Sequence, residues 1–73
     1  MINIQDIIPF MKKGWVAMDK SGEWRYYAKK PEIFDITWTK GYGDITPVRS
    51  LSTIFDIAPA DDWTKSLIKV GEE

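Results

Sequence analysis

Two runs of strand-forming residues, 15–19 and 23–29, are separated only by Lys20-Ser21-Gly22, and this spacing constrains the fold more than any other part of the chain. A three-residue connection in an antiparallel hairpin is built from a type I turn followed by a residue at positive φ, the place that Gly22 suits. In that bulged register Val16 and Met18 share a face with Trp24 and Tyr26, while Trp15 and Ala17 share the other face with Arg25 and Tyr27. A two-residue Ser21-Gly22 turn would instead group Trp15, Ala17, Trp24 and Tyr26, because one residue of slip sends every side chain to the opposite face. The bulged form is preferred. Either register leaves aromatic rings on both faces.

The chain has 73 residues, a length that makes one domain, 1–73, near the lower limit for a self-sufficient core. Ten aromatic residues, four of them Trp, offset the short length, since each large ring buries about 150–250 Å². Cysteine is absent, so disulfides and thiolate metal sites are excluded. No apolar run approaches the ~20 residues that a membrane span needs. The N-terminus lacks secretory character, because Asp6 interrupts it and Lys12 and Lys13 follow the apolar residues. A cytoplasmic protein is expected. Its charge is uneven: residues 12–30 hold six basic and two acidic side chains, against a net charge of −1 for the whole chain. An overall acidic chain argues against a general nucleic-acid binder.

Outside the hairpin, Ile4, Ile7, Ile8 and Met11 recur at helical spacing. They predict a short helix over 5–13, with Asp6 as N-cap, Pro9 in the first turn and Gly14 as a left-handed stop. Residues 36–39 read as a third strand, Gly41-Tyr42-Gly43-Asp44 as a turn, and 45–48 as an edge strand containing Pro47. The alternation of Leu51, Thr53, Phe55 and Ile57 predicts another strand over 51–57. The segment after Pro59 reads as a helical turn capped by Asp61 or Asp62, and a closing strand over 66–70 fits almost as well. The expected fold is α+β: a small antiparallel sheet of three to five strands, a short N-terminal helix and a C-terminal helical turn.

The available side chains restrict the chemistry. With neither His nor Cys, the two commonest catalytic groups at neutral pH are missing. A Ser–Lys pair has no supporting spacing. Asp61 and Asp62, with Asp56, are the best candidates for a carboxylate centre, but adjacent acids at a helix start are more simply caps. Asp19 to Glu23 is too short for a calcium loop. No catalytic, metal or cofactor residue is therefore expected. Binding is the better-supported class, and the candidate contact residues are Trp15, Arg25, Tyr27, Lys20, Lys29 and Lys30, because Trp, Tyr and Arg dominate interface hot spots. The competing reading places most of these rings in the core and the lysines on strand edges as guards against aggregation.

The pattern Gly14-Trp15-Val16-Ala17-x-Asp19-x-x-Gly22, followed by Tyr26-Tyr27, Lys30-Pro31, a mid-chain Trp38 and Asp62-Trp63-Thr64-Lys65-Ser66-Leu67, resembles small proteins of tailed phages and prophages. The chain departs from that pattern in having Ile36-Thr37 before Trp38, where a doubled aromatic is common. The resemblance implies an accessory protein made in a bacterial host cell, and it carries no activity or cofactor with it. The expected function is protein–protein contact with a host or phage protein through the hairpin, with homodimerisation a related outcome. Single-stranded nucleic-acid binding by the same residues is the alternative, and no membrane partner is expected.

Overall fold

A computed structural model of the protein describes residues 1–40 and 48–71. Among these, a short helix α1 (Ile4–Ile7) runs into a 3-10 turn (Ile8–Phe10), and six strands follow: β1 (Gly14–Met18), β2 (Trp24–Tyr27), β3 (Glu32–Phe34), β4 (Thr37–Thr39), β5 (Arg49–Ser50) and β6 (Ile68–Val70). A second 3-10 turn (Trp63–Lys65) precedes β6. Four strands form one sheet in the order β5-β2-β1-β6, and β3 pairs with β4 as a separate ribbon; all these pairs are antiparallel. The result is a small α+β fold.

The central hairpin has the bulged register. Trp15 faces Tyr27, Val16 faces Tyr26, Ala17 faces Arg25 and Met18 faces Trp24. Gly22 has φ 94°, and its N–H donates to the Asp19 carbonyl at 2.8 Å, closing the three-residue turn. This register divides the apolar side chains into two cores. Val16, Met18 and Trp24 pack with Ile4, Leu51, Ile57 and Val70 on one face. On the other face Ala17 and Tyr27 pack with Trp38. Trp63 is half-buried and touches both clusters. The sheet is thus covered on both sides: α1 and residues 51–60 lie over the first face, and the β3–β4 ribbon lies over the second.

The N-terminal stripe packs as its spacing predicts, with Ile4 buried and Ile7, Ile8 and Met11 against the same cluster. The helix itself starts earlier and ends sooner than 5–13. Asn3, not Asp6, is the N-cap, and its side chain accepts from the Gln5 N–H at 2.9 Å. Pro9 ends the α-helical bonding and falls within the first 3-10 turn. Gly14 is no left-handed stop but the first residue of β1, and it is small for a different reason: a Cβ there would strike the Tyr26 ring.

Two further expectations differ. Residues 36–39 do not join the main sheet; Thr37–Thr39 pairs with Glu32–Phe34 through a two-residue Asp35-Ile36 turn, with Asp35 at φ 61°. Residues 51–57 are not a strand. The Phe55 and Ile54 N–H groups both donate to the Leu51 carbonyl, at 2.9 and 3.2 Å, which makes a helical turn. The Ser and Thr residues of the alternating run cause this, because their hydroxyls compete with a ladder: Ser52 Oγ accepts the Trp24 N–H at 2.9 Å, and Thr53 Oγ1 donates to the Ser50 carbonyl at 3.2 Å. The turn swings Ile57 beside Ile2, with which it forms an isolated parallel bridge. At the C-terminal end both readings are realised in sequence, the turn capped by Asp62 and then β6. The expected turn at 41–44 and most of the strand at 45–48 lie outside the described residues.

Candidate functional site

Six residues were singled out by the sequence, and the fold separates them. Because β1 runs antiparallel to both β2 and β6, the start of β1 and the ends of the other two meet at one end of the sheet. That end carries Lys12 and Lys13 before β1, Lys29 and Lys30 after β2, and Lys69 within β6. Trp15 stands among them, half-buried, with one part of its ring against the second core. The ammonium groups of Lys30 and Lys69 each lie 5.8 Å from its ring centroid. An ammonium at this range is attracted by the negative ring face, a contact of about 0.5–1 kcal/mol at an exposed site. Lys20 belongs to the opposite end, in the exposed β1–β2 turn.

Tyr27 is corrected as a contact residue, whereas Arg25 keeps 36% of its side chain exposed but is held in ion pairs. Tyr27 is 1% exposed; it is a core ring, and its hydroxyl donates to the Trp38 carbonyl at 3.1 Å. Burial, with the charge of Asp19 beside it, pushes its phenol up to about 12. Arg25 is half-buried and engaged by two acids: Nη2 donates to Glu23 Oε1 at 3.1 Å, and Nη1 lies 3.6 Å from Asp19 Oδ2. These charges raise its pKa above the ordinary guanidinium value, the Glu23 hydrogen bond contributing most. Glu23 in turn accepts from the Ser50 hydroxyl at 2.6 Å, and that bond, followed by the one from Arg25, lowers its pKa. The group is therefore a structural clasp between β2, β5 and the turn.

Asp19 completes the clasp. It is 5% exposed, and its Oδ1 accepts the Trp38 N–H at 2.9 Å, so a buried carboxylate ties the first hairpin to the ribbon. Its charge is compensated by that donor and by Arg25, which a buried carboxylate requires. No calcium-loop role remains for it. The three carboxylates considered for catalysis are all exposed: Asp56 lies 4.0 Å from the N-terminal amine, Asp61 faces solvent, and Asp62 caps the second 3-10 turn by accepting from the Thr64 N–H at 3.0 Å. Among the described residues no cluster of three acidic side chains is placed to hold a metal ion, and no helix is long and apolar enough to cross a membrane.

Sequence reasoning missed Lys69, which joins the Trp15 surface only through the β1–β6 pairing. Its signal was present in the closing-strand reading of 66–70, which needed an antiparallel partner to become informative. Also missed was an apolar ribbon tip: Ile33, Phe34 and Ile36 are 44%, 72% and 56% exposed. Among the described residues, cavities open on the first face of the sheet. One of about 420 Å³ lies between α1, residues 58–61 and β6, floored by Trp24 and Ser66, whose polar atoms are already hydrogen-bonded. A shallower one of about 250 Å³ is bounded by Met11, Tyr26 and Leu51 with Lys12 and Arg49 at its sides. No family model, curated protein or solved structure matches this chain.

Proposed function

We propose that this chain is a non-enzymatic accessory protein of the phage or prophage type, acting in the bacterial cytoplasm by binding a host or phage protein through the lysine-rich end of its sheet. The observation that carries the reading is the Lys30–Trp15–Lys69 arrangement. A half-exposed indole gives a large, rigid contact area, and Trp is the residue type most enriched at hot spots. The Lys30 ammonium beside the ring calls for a carboxylate on the partner, so its matching surface is acidic around an apolar centre. Lys29 adds to the same charge. Lys20 and Arg25 lie outside the contact, and Tyr27 supports it from below as core.

The test is affinity capture from bacterial extract with the wild-type protein and with Trp15→Ala and Lys30→Glu/Lys69→Glu variants, each first shown to be folded by circular dichroism. A partner retained by wild type and lost from both variants is the expected result. Retention of the same proteins by all three defeats the reading.

Single-stranded nucleic acid is the second reading, favoured by the five lysines gathered at one end. It is weaker for two reasons. A base stacking on Trp15 has to displace the ammoniums beside the ring, and the second ring that stacking would use, Tyr27, is buried. Oligonucleotide titration at low salt, followed by tryptophan fluorescence, separates the two readings: quenching that disappears as salt rises supports nucleic acid.

A further inference from the structure

The ribbon tip and the smaller cavity are both apolar and carry opposite charges. The β3–β4 ribbon is anchored at Trp38, whose N–H donates to Asp19, whose carbonyl accepts from the Tyr27 hydroxyl and whose indole N–H donates to the Trp63 carbonyl at 3.1 Å. Beyond this anchor the ribbon projects Phe34 and Ile36 into solvent on either side of Asp35. Asp35 holds the left-handed φ of 61°, a conformation that costs energy for any residue with a Cβ. Two large apolar side chains are thus presented, around one carboxylate, on a firmly anchored turn.

The cavity of about 250 Å³ has the opposite character. Met11, Tyr26 and Leu51 give it an apolar lining, and Lys12 and Arg49 bring two cations to it. The cavity is shallow and open, so a phenyl ring can lie against its apolar lining with the two cations at its rim. Neither Asp35, Lys12 nor Arg49 forms a salt bridge with a described residue. The two features are also far apart in the fold. The ribbon covers the Tyr27 face of the sheet, and its Ile36 carbonyl accepts the Lys20 N–H at the turn end. The cavity opens on the Tyr26 face near the start of β1.

We propose that the protein associates head to tail with itself, the Phe34-Asp35-Ile36 tip of one copy entering the Met11–Tyr26–Leu51 cavity of the next, with the Asp35 carboxylate between Lys12 and Arg49. Because two different surfaces meet, the contact is heterologous: every added copy presents a fresh tip and a fresh cavity, so growth continues unless the ring closes. The contact is small, and interfaces below about 1,200 Å² are weak and transient. Association is therefore weak and rises with concentration. It leaves Trp15, Lys30 and Lys69 uncovered but uses Lys12, one of the lysines at the same end of the sheet, so the Phe34→Ala variant, which touches none of these, separates self-association from partner capture.

Sedimentation velocity over a concentration series tests the proposal, using Phe34→Ala as the tip variant and Lys12→Glu/Arg49→Glu as the cavity variant; all three positions are exposed. Wild type is expected to increase in weight-average mass with concentration, and each variant alone to stay monomeric. An equal mixture of the two is expected to form a dimer that grows no further, since one copy supplies the only working tip and the other the only working cavity. Adding Asp35→Lys to the cavity variant reverses both charges and is expected to restore growth. A wild type that stays monomeric at the highest attainable concentration overturns the proposal. So does a tip variant that still associates, or a mixture with no dimer, which would indicate a symmetric or edge-to-edge contact.

Discussion

The hydroxyl of Ser66 takes the place of a backbone in the sheet, accepting the Met18 N–H at 2.8 Å and lying 3.2 Å from the Met18 carbonyl. The β1–β6 register, in which Val16 faces Ile68, would put Ser66 opposite Met18 as the next ladder pair. The main chain has already turned away there, since the Ser66 N–H donates to the Trp63 carbonyl at 3.2 Å. A side chain thus finishes what the backbone leaves, at a site 4% exposed.

Ser66→Ala should therefore destabilise the domain by about 1–3 kcal/mol, the cost of leaving a buried donor without its acceptor. The midpoint of urea unfolding reads this directly. A change within the range of an ordinary surface substitution would show that Met18 finds another acceptor.

Gly14→Ala tests the close approach of β1 to Tyr26. The added methyl group meets the Tyr26 ring, whose hydroxyl donates to the Lys13 carbonyl at 2.6 Å and so cannot easily swing aside. Overpacking of this kind costs about 1–3 kcal/mol. Combining it with Tyr26→Ala removes the obstacle, so the double variant should be more stable than the sum of the two single effects. Strict additivity would contradict the collision.

Trp15 and Tyr27, cross-strand neighbours, should behave differently on truncation. Tyr27→Ala empties the centre of the second core and should cost about 3–5 kcal/mol, the range for a buried aromatic ring, which is enough to unfold a domain of this size. Trp15→Ala removes a half-buried ring at the sheet end and should leave the native circular dichroism spectrum in place. Equal losses of stability would remove the distinction between core ring and surface ring on which the proposed contact rests.

The pH dependence has two limbs. The Ser50 hydroxyl and then Arg25 hold the Glu23 carboxyl below its ordinary value of 4.5. A lowered pKa in the folded state means that its stabilisation is complete above pH 4.5 and is lost as pH falls through the folded value. Glu23→Gln should accordingly flatten the acid limb of the stability profile. Tyr27 works in the other direction: its phenol is raised from 10.0 to about 12, so its contribution is complete below pH 10 and fades as pH rises toward 12. Tyrosinate absorbance should show Tyr27 ionising only with unfolding, and Tyr27→Phe should move the alkaline transition upward.

What was legible in the sequence depended on how local the determining contact was. Gly22 fixed the hairpin register because turn length and positive φ are properties of a few neighbouring residues. The spacing of Ile4, Ile7, Ile8 and Met11 identified the buried stripe, whereas Asn3 as N-cap competed with an equally suitable Asp6 and was missed. The Asp35-Ile36 turn was invisible because it lacks the glycine that usually marks a two-residue hairpin. Leu51 to Ile57 misled because alternation counts side chains and ignores the Ser52 and Thr53 hydroxyls that divert the backbone. Tyr27 shows the main difficulty with the site: one face of the hairpin was correctly grouped, but only the ribbon carrying Trp38 determines that this face is an interior.

The strand order also sets a sequence of events in synthesis. β1 lies between β2, made immediately after it, and β6, made about fifty residues later, and Ile2 waits equally long for Ile57. A nascent chain can form the central hairpin early, but Val16, Met18 and Trp24 have no complete cover until residues 57–70 emerge. Long-range pairing of this kind slows folding and leaves apolar surface open in the interval. Covering Val16, Met18 and Trp24 thus depends on contacts made across most of the chain, and the bond from the Met18 N–H to the Ser66 hydroxyl is one of them.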